Sequence, residues 1–229
     1  MRYYKMAISW EPSIKGIRDG SAQLELDRKL IIDKDAFEKV QTFFTWSRAY
    51  ARVYPPTFDV KIEGFKLRKK GLLTDVLDYT PSYADCRFMV NDRVLDLFSR
   101  FNLSEHYYYP LTIASENGII NNYHLFNMPC LDIDVIDFPN CVFFEGMPLI
   151  EELTYFKFDS FEDYRNTSGT PELEKLAFND KLDKSLDLFE SRLGGLMVSE
   201  RLKNAIQKAG LAGVKIYEGK PGPLVEVLD

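Results

Sequence analysis

The sequence predicts an α+β fold with a mixed, mostly antiparallel sheet or sheets, short helices, and two related strand-helix-strand units. Several short segments alternate apolar and polar residues, which is the pattern of half-buried strands. Other segments place apolar residues three or four positions apart, as amphipathic helices do. A third observation is that one sixteen-residue pattern occurs twice, at residues 88–103 and 196–211.

The composition is that of a protein with a full hydrophobic core. Of the 229 residues, 45% are hydrophobic and 28% are charged, which is typical of a folded chain rather than a disordered one. No apolar run approaches the roughly 20 residues that span a bilayer. The N-terminal segment also lacks the unbroken apolar stretch of a signal peptide. We therefore expect a cytoplasmic protein that does not contact a membrane.

The net charge bears on the class of partner, and the cysteine spacing bears on metal binding. The net charge is −6, whereas nucleic-acid-binding domains usually carry a basic surface, so we expect no nucleic-acid partner. The dense basic run at residues 66–70 is interpreted as a solvated hairpin end, with a phosphate-contacting patch as the alternative. Cys86, Cys130 and Cys141 lack metal-binding spacing, and each is expected to be a small buried or half-buried hydrophobic residue.

Local patterns indicate the individual elements in order. Segments with alternating β-branched and aromatic residues predict strands at 3–9, 57–67, 105–114, 119–126, 142–144 and 152–158. Within them, Gly64 predicts a bulge, Pro110 a sheet edge or a bulge, and Asn117-Gly118 a hairpin turn. Apolar residues at helical spacing predict a helix from Asp35 towards residue 49. A second, charged helix is expected over 172–180.

The two repeat copies share the signals of a helix start. Asn91 and Ser199 are residue types that accept a hydrogen bond from an unpaired amide of the first helical turn. Asp92 and Glu200 follow them, where negative charge is favoured by the helix dipole. Each copy therefore predicts a short strand, a capped ten-residue helix and a return strand.

The copies also share a helix end and an arginine in the first turn. Asn102 and Gly210 are the residue types that best tolerate the left-handed conformation that ends a helix. Arg93 and Arg201 stand where a cation costs about 0.3–1 kcal/mol if it is exposed. Their recurrence implies a carboxylate partner. We expect a structural salt bridge at each helix start, with a ligand- or partner-binding arginine as the alternative.

The acidic segment at residues 130–137 is the strongest candidate for a partner-binding surface. Asp132 and Asp134 would share one face of a strand, and Asp137 follows them. Clustered carboxylates suit Mg²⁺ or Ca²⁺, but the segment lacks the glycine and the acidic spacing of an EF-hand. We therefore expect no metal and no cofactor, and interpret these aspartates either as a solvated strand face or as a surface that faces a protein partner.

Catalytic motifs are absent from the sequence. No glycine-rich phosphate loop, GxSxG or HExxH occurs, and the two histidines, His106 and His124, are expected to be structural or surface residues. We therefore expect no catalytic residue. The alternative is an enzyme of unfamiliar type with His124, Asp132 and Asp134 in one cleft.

Residues 196–213, LMVSERLKNAIQKAGLAG, resemble a family of bacterial immunity proteins associated with polymorphic toxin systems. Members of this α+β family tend to end with a Val-Ser-Glu-Arg helix start and a glycine-led last strand, here residues 198–201 and 213–216. Thr74-Asp75 and the degenerate copy at residues 90–93 fit the same layout.

The same family often carries an aspartate at the position of Asp132. The resemblance implies a protein that neutralises a cognate toxin by binding it, without catalysis. A ligand-sensing or structural domain remains a further alternative.

We expect an N-terminal half, residues 1–115, and a C-terminal half, residues 116–229, which form one compact domain or two closely packed lobes.

Overall fold

A computed structural model describes residues 2–45, 54–147, 150, 152–218 and 224–227. These residues form three β-sheets and five short helices, which confirms the α+β class. Antiparallel strand pairs outnumber parallel ones, so the mostly antiparallel character is confirmed as well.

The strands and helices of the described residues are short. The strands are β1 (Tyr3–Ile8), β2 (Leu24–Leu26), β3 (Ile62–Leu67), β4 (Val76–Leu77), β5 (Tyr79–Thr80), β6 (Phe88–Asn91), β7 (Tyr107–Ser115), β8 (Gly118–Asn127), β9 (Val142–Glu145), β10 (Thr154–Phe156), β11 (Glu172–Phe178), β12 (Leu188–Ser191), β13 (Gly195–Ser199), β14 (Val214–Tyr217) and β15 (Leu224–Val227). The helices are α1 (Pro12–Lys15), α2 (Lys34–Phe43), α3 (Asp92–Phe98), α4 (Phe161–Arg165) and α5 (Glu200–Ala209).

Two of the sheets combine strands from distant parts of the chain. One four-stranded sheet has the order β12-β13-β1-β14, the other has the order β10-β9-β11-β15, and the seven-stranded sheet has the order β4-β6-β8-β7-β3-β2-β5. Strand β1 therefore lies in the sheet of the second repeat copy, and β8 lies in the sheet of the first. Strands cross the expected boundary at residue 115 in both directions, and the division into halves stays a prediction.

Helix α2 forms for the reasons that its sequence suggests. The Asp33 side chain accepts a hydrogen bond from the Ala36 backbone N–H at 3.0 Å and so caps the helix. Val40 and Phe44 are buried in the cluster that covers the seven-stranded sheet. The expected continuation of the helix towards residue 49 lies outside the described residues.

Gly64 and Pro110 mark irregular points in the seven-stranded sheet. Gly64 has a φ of +87°, and the pairing of β3 with β7 shifts register around it, so the predicted bulge is present. Pro110 pairs with His124 of β8, whereas β3 pairs with β7 only from Leu111 onward. Pro110 therefore lies where β7 has a paired neighbour on one side only, next to the irregular pairing of β7 with β8 between Leu111 and Ile113.

The charged segment at residues 172–180 is a strand, and the predicted helix was wrong. Strand β11 pairs with β9 on one side and β15 on the other. Its last three residues, Leu176, Ala177 and Phe178, are fully buried. Helix propensities of ordinary residues differ by less than about 1 kcal/mol each, so strand pairing on both sides together with this burial outweighs them.

Both repeat copies start their helices in the same way. The Asn91 side chain accepts a hydrogen bond from the Val94 N–H at 3.2 Å, and the Ser199 side chain accepts one from the Leu202 N–H at 3.2 Å. Each helix follows a strand that pairs with an equivalent short strand, β4 in the first copy and β12 in the second. The two copies therefore adopt the same shape at this end.

The helix ends differ between the copies. Gly210 adopts the left-handed conformation with a φ of +60°, as predicted, and α5 has ten residues. Helix α3 has seven residues and ends at Phe98, and Asn102 is not in the left-handed region. The left-handed cap expected at Asn102 was therefore wrong. The reason is that both backbone groups of Asn102 are hydrogen-bonded to Asp187 instead.

The two copies pack against each other around one hydrophobic core. The core contains the same positions from both copies: Val76, Phe88, Val90, Val94 and Phe98 from the first, and Leu188, Leu196, Val198, Leu202 and Ile206 from the second. Burying one such side chain contributes about 1.5–3 kcal/mol. This shared core therefore supplies the main attraction between the copies.

Gly210 and Gly213 offer a matched test of how closely the copies approach. Both have a positive φ, but a Cβ on Gly210 would meet nothing within 4 Å, whereas a Cβ on Gly213 would overlap the Val76 carbonyl oxygen. We expect Gly210→Ala to lower the free energy of unfolding by about 1–2 kcal/mol through backbone strain. Gly213→Ala should cost about 1–3 kcal/mol more, because the overlap must be relieved. Urea denaturation measures both variants, and equal losses would contradict the close approach.

Candidate functional site

The arginine of the first repeat copy binds Asp75. Its Nη1 lies 3.1 and 3.3 Å from the two carboxylate oxygens of Asp75. The same carboxylate accepts a hydrogen bond from Nδ2 of the N-cap residue Asn91 at 3.0 Å. The Asp75 side chain is 10% exposed and that of Arg93 is 54% exposed. Asp75 is therefore the buried anchor, and Arg93 covers it from the surface.

The second copy repeats this arrangement with Asp187. Nε of Arg201 lies 3.0 Å from Oδ1 of Asp187, and Nη2 of the same arginine donates to Oδ2. The N-cap residue Ser199 donates its hydroxyl to Oδ1 at 2.6 Å. Asp187 is fully buried while Arg201 is 61% exposed. Both arginines thus make the structural salt bridge expected at a helix start.

Each aspartate also binds the chain that leaves the other copy's helix. Oδ2 of Asp75 accepts a hydrogen bond from the N–H of Ala212, beyond α5, at 2.7 Å. Oδ2 of Asp187 accepts one from the N–H of Asn102, beyond α3, at 2.9 Å. We call this arrangement the reciprocal clasp, formed by Asp75, Asn91, Arg93 and Ala212 with Asp187, Ser199, Arg201 and Asn102.

The arginines extend across the same boundary. Nη2 of Arg93 donates to the carbonyl of Ala209, the last residue of α5. The Arg201 guanidinium lies 5.6 Å from the centroid of the Phe101 ring, just beyond α3, within the range of a cation–π contact. Each arginine therefore touches the end of the opposite helix as well as the start of its own.

Two tyrosines support the clasp aspartates from behind. Tyr123 donates its hydroxyl to the carbonyl of Thr74 at 2.7 Å, and Tyr3 donates to the carbonyl of Leu186 at 2.9 Å. Each acceptor directly precedes a clasp aspartate. Burial raises the pKa of each tyrosine to about 12, with a smaller contribution from the negative charge of the nearby aspartate. Both hydroxyls therefore stay protonated as donors at neutral pH.

The acidic residues of the first helical turns have equivalent neighbours too. His124 Nε2 lies 2.8 Å from Oδ1 of Asp92, and the Tyr4 hydroxyl donates to Glu200 at 3.2 Å. The other histidine, His106, has its Nδ1 2.7 Å from the carbonyl of Ser104. Both histidines thus have structural partners.

Sequence reasoning missed the pairing of the clasp aspartates with the arginines. A weak signal exists, because residues 75–78 read Asp-Val-Leu-Asp and residues 187–190 read Asp-Leu-Phe-Glu. The spacing of the two aspartates differs by a few residues from the spacing of the two helices, so a single offset does not align both features. The repeat therefore extends further than its helical part.

The acidic segment is not the strand that its alternation predicts. Residues Ile133–Val135 form a 3-10 turn, and Asp137 caps a second 3-10 turn, Phe138–Asn140. Val135 and Ile136 are neighbours in sequence and both are buried in one apolar cluster. In a regular strand these two side chains would point to opposite faces. Because the backbone turns here, both side chains can enter the same cluster.

The three candidate aspartates still lie at the surface. Asp132 and Asp134 are exposed and Asp137 is half-buried. Asp134 pairs with Lys181 at 2.9 Å. A surface depression of about 440 Å³ is lined by Asp134, Asp137 and Asp159 beside apolar side chains. We call Asp132, Asp134, Asp137 and Asp159 the acidic surface.

The enzyme alternative needs His124 to converge with the acidic surface. His124 bonds to Asp92 at the start of α3, and it does not line the depression that contains Asp134. Among the described residues, no group of three His, Cys, Asp or Glu side chains is placed to hold a metal ion. Nor does any helix in that part of the chain have the length and apolar character of a membrane span.

A family model described as "Immunity protein family (Imm11)" matches residues 3–220. The match contains both sides of the reciprocal clasp and the acidic surface. This match supports an immunity role in general. The chain belongs to the Imm11 immunity protein family, which confirms the resemblance found in the sequence. No curated protein shows a significant match to the chain.

Removing the clasp arginine tests how much the clasp stabilises the fold. We expect Arg201→Ala to lower the free energy of unfolding by about 1.5–3 kcal/mol, because a buried carboxylate loses two charge-assisted hydrogen bonds. The control is Arg165→Ala, whose ion pair with Glu162 is exposed on both sides and should contribute less than about 1 kcal/mol. Chemical denaturation gives both values. Similar losses would show that the Arg201–Asp187 pair stabilises the fold no more than an exposed ion pair does.

Asp187 predicts a specific acid dependence of stability. Burial raises its pKa, but hydrogen bonds from Arg201, Ser199 and the Asn102 N–H lower it further than burial raises it, so the pKa lies below its ordinary value. The stabilisation is therefore present above the unfolded-state pKa of about 4 and is lost as the pH falls through the folded-state pKa.

The corresponding measurement compares the wild-type protein with Asp187→Asn from pH 7 downward. The difference in unfolding free energy should be constant above about pH 5 and should shrink below about pH 4. A difference that grows on acidification would contradict the assignment.

Proposed function

We propose that this protein neutralises a cognate bacterial toxin by binding it directly, without catalysing a reaction. Its membership of the Imm11 immunity protein family is the observation that carries the proposal. An immunity role requires that the toxin be made harmless, and a bound protein achieves this when it covers the surface that the toxin uses. The binding energy of one stable interface is sufficient for that purpose.

We place the toxin contact on the acidic surface. Two of its aspartates, Asp132 and Asp134, are exposed, and the depression beside them offers a concave feature for a partner side chain. Ile133 and Phe161 line the same depression, so apolar contact area lies next to the charges. Interfaces combine these two properties, with apolar contacts at the centre and charges at the rim.

The acidic surface fits a toxin whose contact region is basic. The chain carries a net charge of −6, and complementary charge raises the rate at which two proteins meet. The negative potential also disfavours partners that are acidic themselves. Charge would therefore set the rate and the selectivity of association more than its final strength.

Charge reversal on the acidic surface tests both the function and its location. We expect Asp132→Lys and Asp134→Lys to slow association with the toxin domain encoded beside this protein's gene, by about tenfold each at low salt. Both side chains are exposed, so folding should be unaffected. Stopped-flow or surface plasmon resonance measures the rate. Asp96→Lys, the same charge change at an exposed site on α3, is the matched control.

Two results would count against the proposal in different ways. If Asp96→Lys slows association as much as the other reversals do, the contact is elsewhere and only net charge matters. If one molecule of this protein inactivates many toxin molecules in turn, neutralisation is catalytic. A one-to-one complex that protects cells on co-expression is the expected result.

A further inference from the structure

Strand β10 forms an open edge of its sheet. It pairs with β9 on one side only, and among the described residues no other backbone hydrogen bond involves Thr154–Phe156. The edge strands β4 and β12 are buried, whereas Thr154 and Tyr155 of β10 are exposed. An open edge presents N–H and C=O groups to which another extended chain can add as a further strand.

Exposed apolar side chains accompany this edge. Tyr155 is 53% exposed, and the centroid of its ring lies 6.4 Å from that of Phe144, the half-buried residue opposite it on β9. Met147 and Ile150, between the two strands, are 60% and 76% exposed. Large apolar side chains grouped at a surface mark protein contacts. We call Phe144, Met147, Ile150 and Tyr155, with the outer side of β10, the hairpin edge.

Carboxylates outnumber cations around the hairpin edge. From residue 145 to residue 163, the described part of the chain contains one lysine, Lys157, and five carboxylates: Glu145, Glu152, Asp159, Glu162 and Asp163. Three cations of the adjoining elements already have carboxylate partners: Arg165 pairs with Glu162, Lys175 with Glu226, and Lys181 with Asp134. Without Glu162, four carboxylates remain against one lysine. A partner bound here should therefore be basic.

The hairpin edge continues into the acidic surface. Phe156 ends β10, and its ring stacks with that of Phe158 at a centroid distance of 6.5 Å. The next residue, Asp159, lines the depression of the acidic surface. Ten residues line that depression, whereas each partner in a stable interface contributes about 20–30 residues. A toxin bound at the acidic surface must therefore touch further residues, and the hairpin edge adjoins it.

We propose that the toxin adds an extended, basic segment to the outer side of β10, so that its contact covers both the hairpin edge and the acidic surface. Backbone hydrogen bonds to β10 would contribute affinity, and contacts with Tyr155 and Ile150 would contribute specificity. This inference rests on the proposed function, because it describes how the same toxin is held.

A second copy of this protein is the other chain that can pair with this edge. Self-pairing would bring together two hairpins that each carry the excess of negative charge described above, and like charges repel each other. The strand has only three residues, which further limits non-specific pairing between edges. A basic segment of the toxin is therefore the occupant that the charges favour.

Truncation of exposed side chains tests the contact. Tyr155→Ala should weaken binding of the toxin domain encoded beside this protein's gene by about tenfold or more, because buried aromatic side chains dominate interface energies. Ile150→Ala should weaken it in the same direction by a smaller factor. The matched control is Ile119→Ala at the β7–β8 hairpin, which removes the same atoms from a side chain that is 69% exposed, and it should leave the affinity unchanged. Isothermal titration calorimetry measures all three variants.

Hydrogen exchange followed by nuclear magnetic resonance tests the backbone pairing. In the free protein, the β10 amides that point away from β9 should exchange fast, because they have no acceptor. In the toxin complex these amides should exchange more slowly by at least about tenfold, while the amides bonded to β9 should change little. Protection that alternates along β10 in this way is the signature of an added strand.

Failure of this inference differs from failure of the proposed function. If a toxin complex forms with wild-type affinity in both Tyr155→Ala and Ile150→Ala, and the outer β10 amides stay unprotected, the added strand is wrong and neutralisation by binding stands. The absence of any complex would remove both proposals. If Tyr155→Ala instead dissociates a dimer of this protein and leaves toxin binding unchanged, the edge holds a second copy.

Discussion

Two buried carboxylates, those of Asp75 and Asp187, fix how the two repeat copies meet. Each one accepts hydrogen bonds from the start of its own helix and from the backbone that leaves the other helix. A buried carboxylate that loses its hydrogen-bond donors is costly. Neither copy can therefore slide along the other without exposing one of these carboxylates or leaving it buried without its donors. The hydrophobic core attracts the two copies to each other but does little to fix their relative orientation, because the hydrophobic effect is non-directional. The hydrogen bonds of the clasp fix that orientation.

Strand β12 connects this constraint to the acidic surface. It follows Asp187 directly, contains Glu190, and turns at Arg192 into β13. The backbone N–H of Leu131 donates to the Glu190 carbonyl at 2.8 Å, so the acidic segment is attached to the same strand. A change that displaces β12 would therefore alter the clasp and the acidic surface together.

The parts of the fold that the sequence predicted are those decided by local interactions. Helix caps at Asn91 and Ser199 and the bulge at Gly64 depend on neighbours a few residues away. The clasp could not be derived, because Asp75 and Arg93 meet their backbone partners more than one hundred residues away at Ala212 and Ala209. The acidic residues were located at the surface correctly but in the wrong backbone conformation.

The errors at other sites have the same physical origin. Asn102 has the chemistry of a helix end, but its backbone is held by a carboxylate from the other copy. The charged segment of β11 has helical propensity, but its pairing partners β9 and β15 come from elsewhere in the chain. In each case a distant partner outweighs a local preference of about 1 kcal/mol or less. The family resemblance was predictable because it depends on the local helix-start motif.

The position of β1 has a consequence for how the molecule forms. Strand β1 lies between β13 and β14, which are synthesised much later than β1 itself. The intervening residues would therefore leave the ribosome before this sheet could close, and the apolar face of β1 would stay uncovered until then. Pairing over such a sequence distance is slow because a large loop must close first. This sheet can therefore form only after β14 has left the ribosome, long after β1 has done so.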